Sequence, residues 1–142
     1  VVINPKTNIV ESEWSTLPAS GPHGLAIDSS AGHLFIAGHN GKLIEINLKT
    51  GKVISQVMIA PGTDQISFDL TSQIIYCASQ GYISAVKETS TGMQAIGNTP
   101  TPQHAHTLAV DSFRHEVWIS YADKEHSYLQ KFARTHETSG AK

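Results

Sequence analysis

The sequence predicts an all-β chain assembled from four-stranded antiparallel units, and three observations carry that expectation. First, one pattern recurs at Gly24-Leu25-Ala26-Ile27-Asp28, Gln65-Ile66-Ser67-Phe68-Asp69 and Thr107-Leu108-Ala109-Val110-Asp111, with the aspartates 41 and 42 residues apart. Second, a further apolar run begins six residues after each aspartate, at Leu34-Phe35-Ile36-Ala37, Ile75-Tyr76-Cys77-Ala78 and Val117-Trp118-Ile119-Ser120. Third, these runs are short, rich in β-branched and aromatic residues, and separated by Gly, Asn, Asp and Ser, which is the pattern of strands joined by hairpins.

The elements follow in order. Ile3, Thr7-Asn8 and Val10 match Ile46, Thr50-Gly51 and Val53 at a constant offset of 43, so residues 1–21 read as the last two strands of a unit. Complete units then span 22–62 and 63–102. Their third strands are Leu43-Ile44-Glu45-Ile46 and Ile83-Ser84-Ala85-Val86, and their fourth are Val53 to Ile59 and Met93 to Ile96. Thr50-Gly51 and Thr91-Gly92 precede the fourth strands, where Gly supplies the positive φ of a tight turn. An incomplete unit spans 103–134, with Tyr128 to Phe132 as its third strand, and 135–142 form a tail. Between Ala122 and Glu137 a short helix stays open as an alternative, because Tyr128, Leu129 and Phe132 would share a helical face. The recurring Asp28, Asp69 and Asp111 are expected to cap the backbone of the first hairpin turn.

Four-stranded units of about 40 to 45 residues are the signature of β-propeller blades, sheets stacked face to face around an axis. The second strands fit that arrangement, since Leu34-Phe35-Ile36 and Ile74-Ile75-Tyr76 are apolar on both faces, as sheets with neighbours on either side require. About three blades are present, an arc of a larger ring. Such an arc leaves apolar sheet faces open at its ends, to be covered by missing blades or by a second copy. The start at Val1 points to the first.

The composition excludes several classes. Ten Lys plus Arg against twelve Asp plus Glu, with no basic run, disfavour nucleic-acid binding. No stretch approaches the roughly 20 apolar residues of a membrane span. A single cysteine, Cys77, forbids an internal disulfide and is expected to be a buried filler. There is no Gly-x-Ser-x-Gly elbow, phosphate-loop lysine motif, His-Glu-x-x-His or dinucleotide-binding glycine fingerprint.

Val2-Ile3-Asn4-Pro5-Lys6-Thr7-Asn8, Pro22-His23-Gly24-Leu25-Ala26-Ile27-Asp28, Asn47-Leu48-Lys49-Thr50-Gly51-Lys52-Val53-Ile54 and Pro61-Gly62-Thr63-Asp64 give the chain a family likeness. It resembles the carboxyl-terminal part of YncE-like propellers with YVTN-type repeats. The resemblance implies a ring of about seven blades, a periplasmic or secreted location, and a binding function without a shared catalytic motif. The loop after Trp118-Ile119-Ser120 is shorter than in that group, which leaves the corresponding ligand surface in question.

Candidate chemistry lies where loops lead into the innermost strands. Five residues before each repeated aspartate stand His23, Asp64 and His106, and His104 shares the side of His106 on an extended chain. Two readings follow. The leading one is a non-catalytic scaffold binding a small molecule or protein at the channel mouth through His23, Asp64, His104 and His106, with no cofactor. The alternative is a metal-dependent lyase, hydrolase or oxidoreductase with a divalent metal on His23, Asp64 and His106. His33, His39, His115, His126 and His136 are expected to be solvated loop residues, Trp118 to lie in the core between blades, and Trp14 to pack at an edge.

Overall fold

A computed structural model describes residues 1–133. Among them every regular element is a strand, and the strands form four antiparallel sheets. The first holds β1 (Val2–Asn4) and β2 (Ile9–Ser12). The second holds β3 (Pro22–Asp28), β4 (His33–Gly38), β5 (Lys42–Asn47) and β6 (Val53–Met58) in sequential order. The third repeats that order with β7 (Gln65–Asp69), β8 (Ile74–Ser79), β9 (Tyr82–Thr89) and β10 (Gly92–Pro100). The fourth contains β11 (Thr107–Asp111), β12 (Glu116–Ala122) and β13 (Ser127–Ala133). Within the stretch left open between helix and strand, Ser127–Ala133 form a strand, β13, which pairs with β12 from Ala133 back to Ser127; residues 134–137 of it lie outside the described residues. His136 and the tail lie outside the described residues.

Equivalent strands of successive sheets face one another: β3 packs on β7, β7 on β11, and β6 on β10. Period-two alternation then divides each strand between two interfaces. Phe35 and Ala37 of β4 join Leu43, Ile66, Ile75, Cys77 and Val86 between the second and third sheets. On the opposite face, Ile36, Ile44 and Ile46 pack with Ala19, Trp14 and Val53. The third and fourth sheets meet through Ala78, Ile83, Leu108, Val117 and Ile119. Phe35 is fully buried, a position worth roughly 1.5–3 kcal/mol by transfer alone. Gly24 has a packing reason as well, since a Cβ there would lie 2.7 Å from Ile66 Cγ2.

The outer faces are open. Leu25 is 62% and Ile27 50% exposed on the side of β3 away from β7, and Leu129 is 69% exposed on the far face of β13. Trp118 takes the other face of β12. It pairs with Ala109 and Lys131 on the face away from the third sheet, with Lys131 Nζ 5.5 Å above its ring. The register of β12 explains this: Val117 and Ile119 take the inward positions, so Trp118 must point the other way. Trp14 packs at an edge, close enough to Gly51 that a Cβ there would meet its indole.

Each repeated aspartate caps its turn. Asp28 Oδ1 accepts from the backbone N–H of Ser30 and Ala31, Asp69 Oδ1 from Thr71 and Ser72, and Asp111 Oδ1 from Phe113 and Arg114. The up-and-down connectivity gives every sheet two ends. One carries these aspartate turns, and the other carries the connectors into β3, β7 and β11.

Candidate functional site at the connector end

The connectors are held by a buried polar network. Thr63 Oγ1 lies 2.7 Å from Ser79 Oγ, both hydroxyls donate to the Ala60 carbonyl, and the Ala60 N–H donates to Ser84 Oγ at 3.0 Å. All three side chains are buried. Gly62 N–H donates to the His39 carbonyl at 2.9 Å. These bonds fix the segment Ala60 to Thr63 against the turns that follow β4 and β8, because a buried connector must satisfy its backbone groups locally. At Gly41 the turn takes φ 76°, a value glycine adopts without Cβ strain.

Between those turns and connectors lies an open cleft of about 570 Å³, lined by His39, Pro61, Gln80, Tyr82, Asn98 and Gln103 among others. Its rim continues into the expected site residues. His23 Nδ1 lies 3.2 Å from Asp64 Oδ1, both about half exposed, and the His23 and His39 rings are 6.3 Å apart. His104 and His106 also adjoin, with ring centroids 6.3 Å apart. The structure therefore brings His23 to Asp64 and His104 to His106. Among the described residues His23, Asp64 and His106 do not gather as a three-ligand cluster; the set that does is His33, Glu45 and Glu88. His106 leads into the fourth sheet, one sheet beyond Asp64, whereas a tetrahedral ion needs all its ligands within a few ångströms.

His39 and Gln80, in the turns after β4 and β8, are not among the expected site residues, which occupy positions before β3, β7 and β11. The signal was available, since in an up-and-down sheet the turn after the second strand returns to the end where the first begins. His39 is an exposed turn residue as expected, and it also lines the cleft.

The opposite end corrects two histidines. His33 has 22% of its side-chain surface exposed and places Nδ1 2.8 Å from Glu45 Oε1 and 2.7 Å from Glu88 Oε1. His115 Nδ1 lies 2.8 Å from Asp69 Oδ2 across the next junction. Burial pushes the carboxyls of Glu45 and Glu88 above the usual range, against the pull of His33. For Asp69 burial also acts upward, but hydrogen bonds from Ser72, His115 and the turn backbone outweigh it and the net direction is down. Cys77 is fully buried and its thiol is pushed up by burial, so it is an inert filler.

Comparison with solved structures places this architecture. Hydrazine synthase of Kuenenia stuttgartiensis superposes with a TM-score of 0.71 over 88% of this chain and 36% of its own, at 11% identity. The Cps50 (Swd1) β-propeller domain of Myceliophteria thermophila gives 0.62 over 76% and 39%, at 14% identity. The sheets are β-propeller blades. A putative 6-phosphogluconolactonase from Bacteroides uniformis gives 0.67 over 82% and 38%, at 11% identity. The chain thus spans well under half the length of these propellers, and at such identities the likeness is one of fold. No family model and no curated protein matches the chain.

Proposed function

We propose that this arc of blades belongs to a non-catalytic binding propeller whose ligand, a small polar molecule or a polar protein loop, sits in the cleft at the connector end. The carrying observation is that cleft of about 570 Å³ with its imidazole and amide lining, framed by a buried hydroxyl network that holds its floor rigid. Volumes of this order suit small ligands, and a few convergent polar groups on a fixed frame supply orientation. The fold alone does not select binding over catalysis, because hydrazine synthase shares it. What supports binding is the site: among the described residues the cleft is lined by imidazole and amide groups, and His106 does not join His23 and Asp64 in a three-ligand cluster. The family likeness extends the proposal to a YncE-like protein of about seven blades, acting in the periplasm or outside the cell, its open faces covered by further blades.

A library of small polar fragments, screened by amide chemical-shift mapping on the labelled 142-residue chain, tests the reading. Shifts should cluster at His39, Gln80, Tyr82 and Gln103 and weaken in Gln80→Ala and Gln103→Ala. Hits scattered over the sheets, or turnover that depends on His23 and Asp64, would overturn it.

A further inference from the structure

At the aspartate end, the inward-facing row between the second and third sheets changes character. Along β3 it runs Gly24, Ala26, Asp28; along β4, Ala37, Phe35, His33; along β5, Leu43 then Glu45; and along β9, Val86 then Glu88. Period two thus carries an apolar interface into a cluster of three carboxylates and one imidazole. Asp28 and Glu45 are 1% exposed and Glu88 5%. His33 Nδ1 faces Glu45 Oε1 and Glu88 Oε1 at once, and its single proton serves only one of them at a time. Asp28 pairs with His33 across the β3–β4 hairpin and stands on the same inward row. Three buried oxygens, Asp28 Oδ2, Glu45 Oε2 and Glu88 Oε2, have no hydrogen-bond partner. Buried carboxylates without partners are costly unless a proton or a cation neutralises them.

We propose that His33, Glu45 and Glu88, with Asp28 beside them, form a divalent-cation site bridging two blades, suited to Zn²⁺ or Mn²⁺. The donor set of one imidazole nitrogen and several carboxylate oxygens matches those ions. The ligand atoms of His33, Glu45 and Glu88 already lie within 4.8 Å of one another. Bonds of about 2.0–2.2 Å at tetrahedral angles require donors roughly 3.4 Å apart, so the pairs now at 2.7 and 2.8 Å need to open by less than about 1 Å. The unpartnered oxygens supply the remaining coordination. Glu88 comes from a different sheet than the other three, so the ion would tie the blades together.

Protein stripped with chelator and dialysed is titrated calorimetrically with Zn²⁺ and, separately, with Mn²⁺. The same titration on a His23→Ala, His104→Ala, His106→Ala background removes the connector-end imidazoles beside Asp64 and in the β11 connector as competing sites. The expected result is one equivalent retained in that background, with a melting temperature that rises with metal concentration because only the native state binds. Glu45→Gln and Glu88→Gln should each weaken binding by at least about tenfold, while circular dichroism shows the metal-free variants folded. Should Glu45→Gln fail to fold, Glu88→Gln and the loss of free Mn²⁺ signal in electron paramagnetic resonance still decide the matter. Absence of saturable binding, or binding that survives Glu88→Gln, overturns the site.

Discussion

The two junctions between complete or nearly complete blades are built alike in their apolar parts and differently at their aspartate ends. Between the third and fourth sheets, Asp69 meets His115, and the remaining carboxylate capacity is filled by Ser72 and the turn backbone. One acid faces one base, and the account closes. Between the second and third sheets, Glu45 and Glu88 share His33, and with Asp28 they leave three buried oxygens unpartnered. At Asp28 plus four stands Gly32, and at Asp69 plus four Gln73, where the last blade has His115. Gln73 leaves the acids of its junction without the imidazole that His115 brings to Asp69. The difference separates a junction finished by folding from one that folding leaves short of positive charge.

The largest expected effect tests whether the apolar parts dominate both junctions. Phe35→Ala should cost roughly 3–5 kcal/mol through lost burial and a cavity, read from urea unfolding. A cost near 1 kcal/mol would shift the weight to the polar ends. Next comes the closed junction. Asp69→Ala should cost roughly 1–3 kcal/mol, because His115, Ser72 and two backbone donors lose a shared acceptor. Its folded pKa is depressed, so its contribution is full above the ordinary aspartate range and disappears as pH falls through the lower folded value. Asp69→Asn should therefore flatten the acid side of the stability profile, and an unchanged acid limb would show that this pair does not couple the blades.

At the unfinished junction the sign reverses. Metal-free Glu45→Gln should leave stability unchanged or raise it by up to about 1 kcal/mol, since one of three crowded buried carboxylates is replaced by a neutral amide whose oxygen still faces His33 Nδ1. A loss comparable to that of Asp69→Ala would mean the carboxylates are already neutralised by one another and His33, and the contrast between the junctions would vanish.

The architecture was legible because the blade period repeats turn chemistry, with each aspartate receiving two backbone N–H groups in its own hairpin. Local bonds of that kind leave a mark in spacing. The histidine contacts left none: His33 reaches Glu88 across 55 residues, and His115 reaches Asp69 across 46. One clue was present, since Glu45 falls on the same strand face as Leu43 and so had to be buried once the blade was assigned. Parity also places Trp118, because its register relative to Val117 and Ile119 decides its face. At the connector end, equal spacing from the repeated aspartates paired His23 with Asp64 but did not bring His106 into one three-ligand cluster with them among the described residues.

The smallest effect sharpens the contrast between the two ends of the blades. His23 and Asp64 form a pair as close in sequence logic as Asp69 and His115, but their side chains are 57% and 52% exposed. Water competes for both partners, so His23→Ala should change stability by only about 0–1 kcal/mol, and less in high salt. An exposed pair that folding does not need is free to reorganise around a ligand, whereas the buried pair is already committed. Urea unfolding of His23→Ala beside Asp69→Ala measures that difference directly. Equal costs would make the connector-end pair a structural clasp, and the cleft beside it would lose its standing as the place where a ligand is held.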